Sequence, residues 1–141
     1  MDSNRKLAHI ERIAIRWGDM DAKGHVNNTV YFRYMEQARI SWLDALAPEE
    51  DAWRRTGIVI VTASCHYRRP ITYPGTVEVR LSVGRIGGSS VNTYYELRVD
   101  RNSVLYADGE AVVVFVSAST QKPVRIPEEV RARLQRPEPG A

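Results

Sequence analysis

The chain has 141 residues, 43% of them hydrophobic and 26% charged, the make-up of one ordinary globular domain around one core. Twenty Lys and Arg against 17 Asp and Glu leave a net charge of +3, which suits an anionic ligand but is too small to point to nucleic acid. The single cysteine, Cys65, excludes an intrachain disulfide, and no apolar run is long enough to span a membrane.

The first 13 residues carry early acids and no apolar stretch of the signal-peptide kind, so a reducing cytoplasm is the expected compartment. From Ala8 to Arg16, Ile10, Ile13 and Ile15 alternate with charges, which predicts a strand with one irregular step. Residues Gly18 to Asn28 are rich in Gly, Asp and Asn and read as loop. The spacing then changes. Val30, Tyr31, Tyr34, Met35, Ala38, Trp42 and Leu46 recur at three and four residues, the period of an amphipathic helix. Asn28 or Thr29 is the expected N-cap, and Pro48 cannot continue the helix. Glu49 to Thr56 reads as a short helix or turn.

Strand patterns follow. Ile58 to Arg69 is rich in Val, Ile and Thr and stops at Pro70. Val77, Val79, Leu81 and Val83 alternate with Glu78, Arg80 and Ser82. Gly87-Gly88 reads as a hairpin connection, and Val91 to Asp100 as the next strand. Arg101-Asn102 marks a second turn. Val104 to Ser117 is the last strand; its apolar middle, Ala111 to Val116, belongs inside a sheet or at an interface, and Asp108-Gly109 suggests a bulge. Glu128 to Gln135 predicts a short polar helix. The whole chain, 1–141, is expected to be one domain with its core at about 8–127 and a flexible tail at 136–141. Connections this short make the later strands antiparallel, and a long apolar helix needs a curved sheet to wrap it.

The segment Trp17 to Glu36 carries the chemistry. It places the carboxylate of Asp21 just ahead of Gly24-His25-Val26-Asn27-Asn28, with the helix beginning at once. An acid beside unpaired helix N-terminal N–H groups suits attack on a carbonyl, where negative charge develops on oxygen. His9, His25 and His66 lack metal-ligand spacing, so no metal site is expected. Cys65, flanked by strand residues, reads as a structural thiol.

With Trp17-Gly18-Asp19-Met20-Asp21, Gly24 to Asn28 and Tyr31, the chain resembles hotdog-fold proteins. It is most similar to acyl-CoA thioesterases of the 4-hydroxybenzoyl-CoA thioesterase class. Arg69-Pro70, Tyr73-Pro74-Gly75, Gly109-Glu110-Ala111 and Pro123 to Pro127 add support, and the match spans about Ile10 to Pro127. The resemblance implies an α+β hotdog fold, a curved antiparallel sheet of about five strands around one long central helix. It implies a tight homodimer with the site at its interface, and often a dimer of dimers, a homotetramer. The implied reaction is hydrolysis of an acyl-CoA thioester to the free carboxylic acid and coenzyme A, with no cofactor beyond the coenzyme A of the substrate.

In that reading Asp21 is the nucleophile or general base, and the backbone N–H near Asn28 polarises the thioester carbonyl. Asp19 is structural. His25 either donates a hydrogen bond to Asp21 or the substrate, or braces the loop. Gly24 supplies a turn with close backbone approach, and Tyr31, Tyr34, Met35 and Trp42, first of all core residues at their helical spacing, could also line an acyl pocket. Arg68, Arg69 and Arg85, with Ser89 and Ser90, meet the phosphates or pantetheine of coenzyme A. Glu36 is a competing carboxylate, better read as an ion pair with Arg33 or Arg39. An acyl carrier protein could replace coenzyme A, and a non-catalytic acyl-CoA-binding hotdog module is the other alternative. A basic interaction protein is weaker, because the cations are scattered.

Overall fold

The structure, a computed structural model, describes residues 4–47 and 53–139. The expectations for Pro48 and for the first half of Glu49 to Thr56, and the end of the tail at 140–141, lie outside the described residues; 53–55 form a turn and bend, and Thr56 already begins a strand.

Five strands form one antiparallel sheet in the order β1-β3-β4-β5-β2: β1 Lys6–Ala14, β2 Thr56–Tyr67, β3 Thr76–Ile86, β4 Ser90–Val99 and β5 Ala107–Ser117. β1 and β2 are consecutive strands at opposite edges of the sheet. The helix between them, α1 (Asn28–Leu46), runs along the strands on the inner face, antiparallel to β1: Val30 and Arg33 border one cavity with Ile13 and Ala14, and Trp42 and Leu46 border another with Ala8 and His9. Tyr31, Tyr34, Met35, Ala38, Trp42, Leu43 and Leu46 are its buried face. They pack on the inward side chains of Val77, Val79, Leu81, Tyr95, Leu97, Val113 and Phe115. Burial of each large side chain contributes roughly 1.5–3 kcal/mol. This is the hotdog arrangement.

Several details differ from the sequence pattern. In β1, Ile13 pairs with Val77, Glu11 with Val79 and His9 with Leu81, so His9 and Glu11 share the inward face with Ile13, and Ile10 lies on the outer one. The mismatch is tolerated because His9 Nε2 and Glu11 Oε1 pair at 2.7 Å at the sheet edge. The irregular step lies at Leu7/His9. Asp108-Gly109 is no bulge: β5 runs in unbroken register with β4 there, and Gly109 pairs with Cys65 of β2. A Cβ on Gly109 would stand 2.6 Å from Ser64 O and 2.7 Å from Met35 Sδ. The glycine lets α1 approach the sheet. β5 lies between β4 and the edge strand β2, inside the sheet as its apolar middle required.

The second helix, α2 (Glu128–Gln135), buries Val130 and Leu134, one turn apart, so it is amphipathic rather than wholly polar. Its Arg131 donates to Gly87 O at 2.6 Å and Gly88 O at 3.1 Å, which fixes the β3–β4 hairpin. No helix among the described residues is long and apolar enough to cross a membrane.

Candidate active site

Between β1 and α1 the chain makes a single 3-10 turn at Trp17–Asp19. Asp19 Oδ2 accepts from Arg16 N–H at 2.9 Å and from the Tyr34 hydroxyl at 2.8 Å. Burial, and then the Asp19 carboxylate, push the Tyr34 phenol well above its usual range. Asp19 thus fastens the loop to α1 and borders a different cavity from Asp21. Asp21 opens a tight loop, with its N–H bonded to His25 O at 2.9 Å and its carbonyl accepting from Gly24 N–H at 3.0 Å. Gly24 has φ +84°, and a Cβ there would meet nothing within 4 Å. The left-handed dihedral itself calls for glycine here.

The Asp21 carboxylate is held by Lys23 N–H on Oδ1 at 2.9 Å and by Asn27 Nδ2 near Oδ2 at 3.5 Å. The N-cap is Asn27, one residue before the expected position. Its extended backbone lets Oδ1 accept from Thr29 N–H at 2.9 Å and from the Thr29 hydroxyl at 2.6 Å, and its carbonyl accepts from Val30 N–H at 2.9 Å. The cap satisfies Thr29 and Val30. It leaves the N–H of Asn28 with no partner among the described residues, at the positive end of the α1 dipole.

Asp21, His25, Asn28, Tyr31, Arg68 and Arg69 all line one open cavity of about 410 Å³, together with Tyr67 and Pro70. The structure therefore brings together six of the residues singled out in the sequence. The His25 ring makes no hydrogen bond or ion pair among the described residues; only its carbonyl holds the loop. Tyr31 is 3% exposed, and its hydroxyl accepts from Ile71 N–H at 3.2 Å and donates to Arg69 O at 3.3 Å. It is first a strut for the segment after β2. Arg68 Nε lies 2.5 Å from Asp108 Oδ1, and this carboxylate pushes the guanidinium pKa up.

Tyr67 was not foreseen. Its hydroxyl donates to Asn28 O at 3.0 Å and its ring meets Tyr31 edge-on at 4.8 Å, tying the end of β2 to the start of α1. Its position beside Arg68, at the end of an apolar strand, was the only sequence signal. Cys65, beneath it, is half-buried, and burial pushes its thiol up to about 11.

Arg85, Ser89 and Ser90 are elsewhere. Ser90 pairs with Val114, whereas Leu97 pairs with Ala107 beside Tyr67. Seven residues of β4 separate these ends, roughly 23 Å at 3.3 Å per residue. Arg85, Ser89 and Ser90 do not line the Asp21 cavity. Glu36 is exposed, paired with Arg33 at 3.4 Å, and stands about 12 Å along the helix from Asn28. Among the described residues no three His, Cys, Asp or Glu gather as metal ligands. What the geometry offers is a carboxylate beside a free helix N-terminal donor in an open cavity.

Residues 15–134 match the family model of the thioesterase-like superfamily, and the chain belongs to that superfamily. Its reaction class is thioester hydrolysis. The chain is 24% identical to the long-chain acyl-CoA thioesterase FadM of Escherichia coli over 127 residues, 88% of this chain and 95% of that protein. It is 24% identical to the acyl-CoA thioesterase YbgC of Haemophilus influenzae over 123 residues, 85% and 89% of the two chains. The solved PA2801 protein of Pseudomonas aeruginosa superposes with a TM-score of 0.84 at 35% identity, over 92% of this chain and 99% of that one.

Proposed function

We propose that this chain hydrolyses acyl-CoA thioesters to the free acid and coenzyme A, with Asp21 and the Asn28 N–H as its working groups. The observation that carries the reading is the shared cavity: the Asp21 carboxylate and the unpartnered Asn28 N–H open on the same space. A thioester carbonyl seated there would place its oxygen on Asn28 N–H and its carbon before Asp21. Either Asp21 adds to that carbon, expels the thiolate and forms an anhydride that water opens, or it takes a proton from water as the water adds. Charge grows on the carbonyl oxygen in both routes, and one aligned donor lowers the barrier by about 3 kcal/mol. The relatives FadM and YbgC support coenzyme A as the carrier.

A second copy completes this reading. β2 is an open edge, with Val61 55% exposed, and α1 shows Phe32 and Ile40 to solvent. An unpaired apolar edge is a template for another strand. Pairing β2 with β2 of a second chain lays the two α1 helices side by side, and further pairing of dimers gives the Arg85–Ser90 hairpin of another copy access to the coenzyme.

The test is thiol release from acyl-CoAs of varied length and aromaticity by the wild type and Asp21→Asn. The variant should lose at least two orders of magnitude in kcat with its circular dichroism unchanged. Undiminished turnover would remove Asp21 from the mechanism and turn attention to Glu36. Binding of acyl-CoA without turnover by the wild type would leave a ligand-binding module.

A further inference from the structure

Further along α1 from Asn28 and Tyr31, a second cavity of about 250 Å³ lies between the helix and β2, β5 and β4. Its walls include Phe32, Met35, Glu36, Ala63 and Ala111, and at its inner end are Arg39 and Tyr95. Arg39 is only 9% exposed. Nothing in the helical pattern set it apart from the surface charges, yet it is on the buried face. Its Nη1 donates to the Tyr95 hydroxyl at 3.0 Å. That hydroxyl lies 2.7 Å from Thr93 Oγ1, which donates to Ala111 O at 2.9 Å. Donation therefore runs one way, from Arg39 through Tyr95 and Thr93 to a backbone carbonyl. Tyr95 neutralises nothing, because it is a phenol that accepts from Arg39 and donates onward.

A guanidinium has five N–H donors and a fixed positive charge. Among the described residues no carboxylate forms an ion pair with Arg39: Glu36, one turn away, is turned to Arg33 at 3.4 Å. Glu110 also borders the cavity, but it neighbours the inward-facing Ala111 in β5, so its side chain projects from the other face. The nitrogens sealed from solvent without a partner belong to Trp53 and Arg131. No Arg39 nitrogen is among these, and the residue borders the cavity. A buried cation without an anion is costly, and an apolar cavity leading to it supplies the place for one.

We infer that this cavity binds a small monocarboxylate, its carboxylate on the Arg39 guanidinium and its apolar body against Phe32, Met35, Ala63 and Ala111. At roughly 30 Å³ per water-sized volume, the space holds about eight non-hydrogen atoms, a single ring or a chain of about six carbons. Such an acid is what thioester hydrolysis releases. In assigning it that origin the inference rests on the function proposed above; the binding itself does not.

The experiment is calorimetric titration of the full chain with benzoate and hexanoate, and with their neutral twins benzamide and hexanamide. The acids should bind at least tenfold more tightly than the amides. Arg39→Met, which keeps much of the side-chain volume, should erase that difference. Ala63→Leu should weaken the acids at least tenfold by filling the cavity from an exposed position on β2, and it decides the matter if Arg39→Met fails to fold. Asp21→Asn should bind the acids as the wild type does, whatever its turnover, so this result and the thiol-release result stand or fall separately. Equal affinity for acid and amide, no binding of any probe, or wild-type acid affinity in Ala63→Leu would overturn the inference.

Discussion

Asn27 bridges Asp21 and the start of α1. Its Nδ2 lies 3.5 Å from Asp21 Oδ2 while its Oδ1 accepts from Thr29 N–H at 2.9 Å. One side chain therefore orients the carboxylate and caps the helix whose first N–H stays free. Asn27→Ala should cost about 1 kcal/mol of stability as a lost cap, read as a drop in Tm, and should also lower kcat. Asn27→Asp keeps an acceptor for Thr29 but faces Asp21 with a second carboxylate. It should retain most of the Tm and lose activity, a split that a purely structural role for Asn27 would not give.

Tyr34 and Asp19 are bonded at 2.8 Å, and Tyr34 is 4% exposed. Tyr34→Phe removes the donor from a carboxylate and should destabilise the fold by about 1.5–3 kcal/mol, measured by urea denaturation. The raised phenol of Tyr34 has a definite sign in linkage terms. The folded state holds that proton more tightly than the unfolded state does, so stability falls as pH rises above the ordinary tyrosine value of 10.0. Tyr34→Phe should flatten this alkaline loss.

Gly109 has no room for a methyl group, with Ser64 O at 2.6 Å and Met35 Sδ at 2.7 Å from the built Cβ position. Gly109→Ala should destabilise by about 1–3 kcal/mol, the usual cost of overpacking. Adding Met35→Ala should not restore the wild-type Cm, because the clash with backbone Ser64 O remains.

Cys65 has its thiol pushed from 9.0 to about 11 by burial. A two-unit rise makes its thiolate about a hundredfold scarcer at pH 8 than in the unfolded chain. Iodoacetamide should label the folded protein far more slowly than the urea-unfolded protein at pH 8. The folded rate should climb toward pH 11. Fast labelling at pH 8 in the folded state would contradict the burial of this thiol.

The amino-acid pattern was enough to determine the element types, the long central helix and the loop holding Asp21. Those depend on periodicity and on local glycine and asparagine chemistry, which act over a few residues. Local pattern also named Asp21, His25 and Asn28 as neighbours, since seven residues of loop keep them close wherever the rest of the chain goes. It could not show that Asn27 rather than Asn28 caps α1, because the two have the same side chain and only the backbone angles choose between them.

Tertiary structure decided the rest. Tyr67 joins Asn28 across 39 residues, and only the pairing of β2 at the sheet edge brings them together. The Gly87-Gly88 hairpin was legible as a turn, but sheet order sets it at the far end from Asp21. Arg39 was indistinguishable from its charged neighbours in sequence. Its burial against Tyr95 of β4 depends on how the sheet curves round the helix, a contact between distant segments that no local spacing encodes.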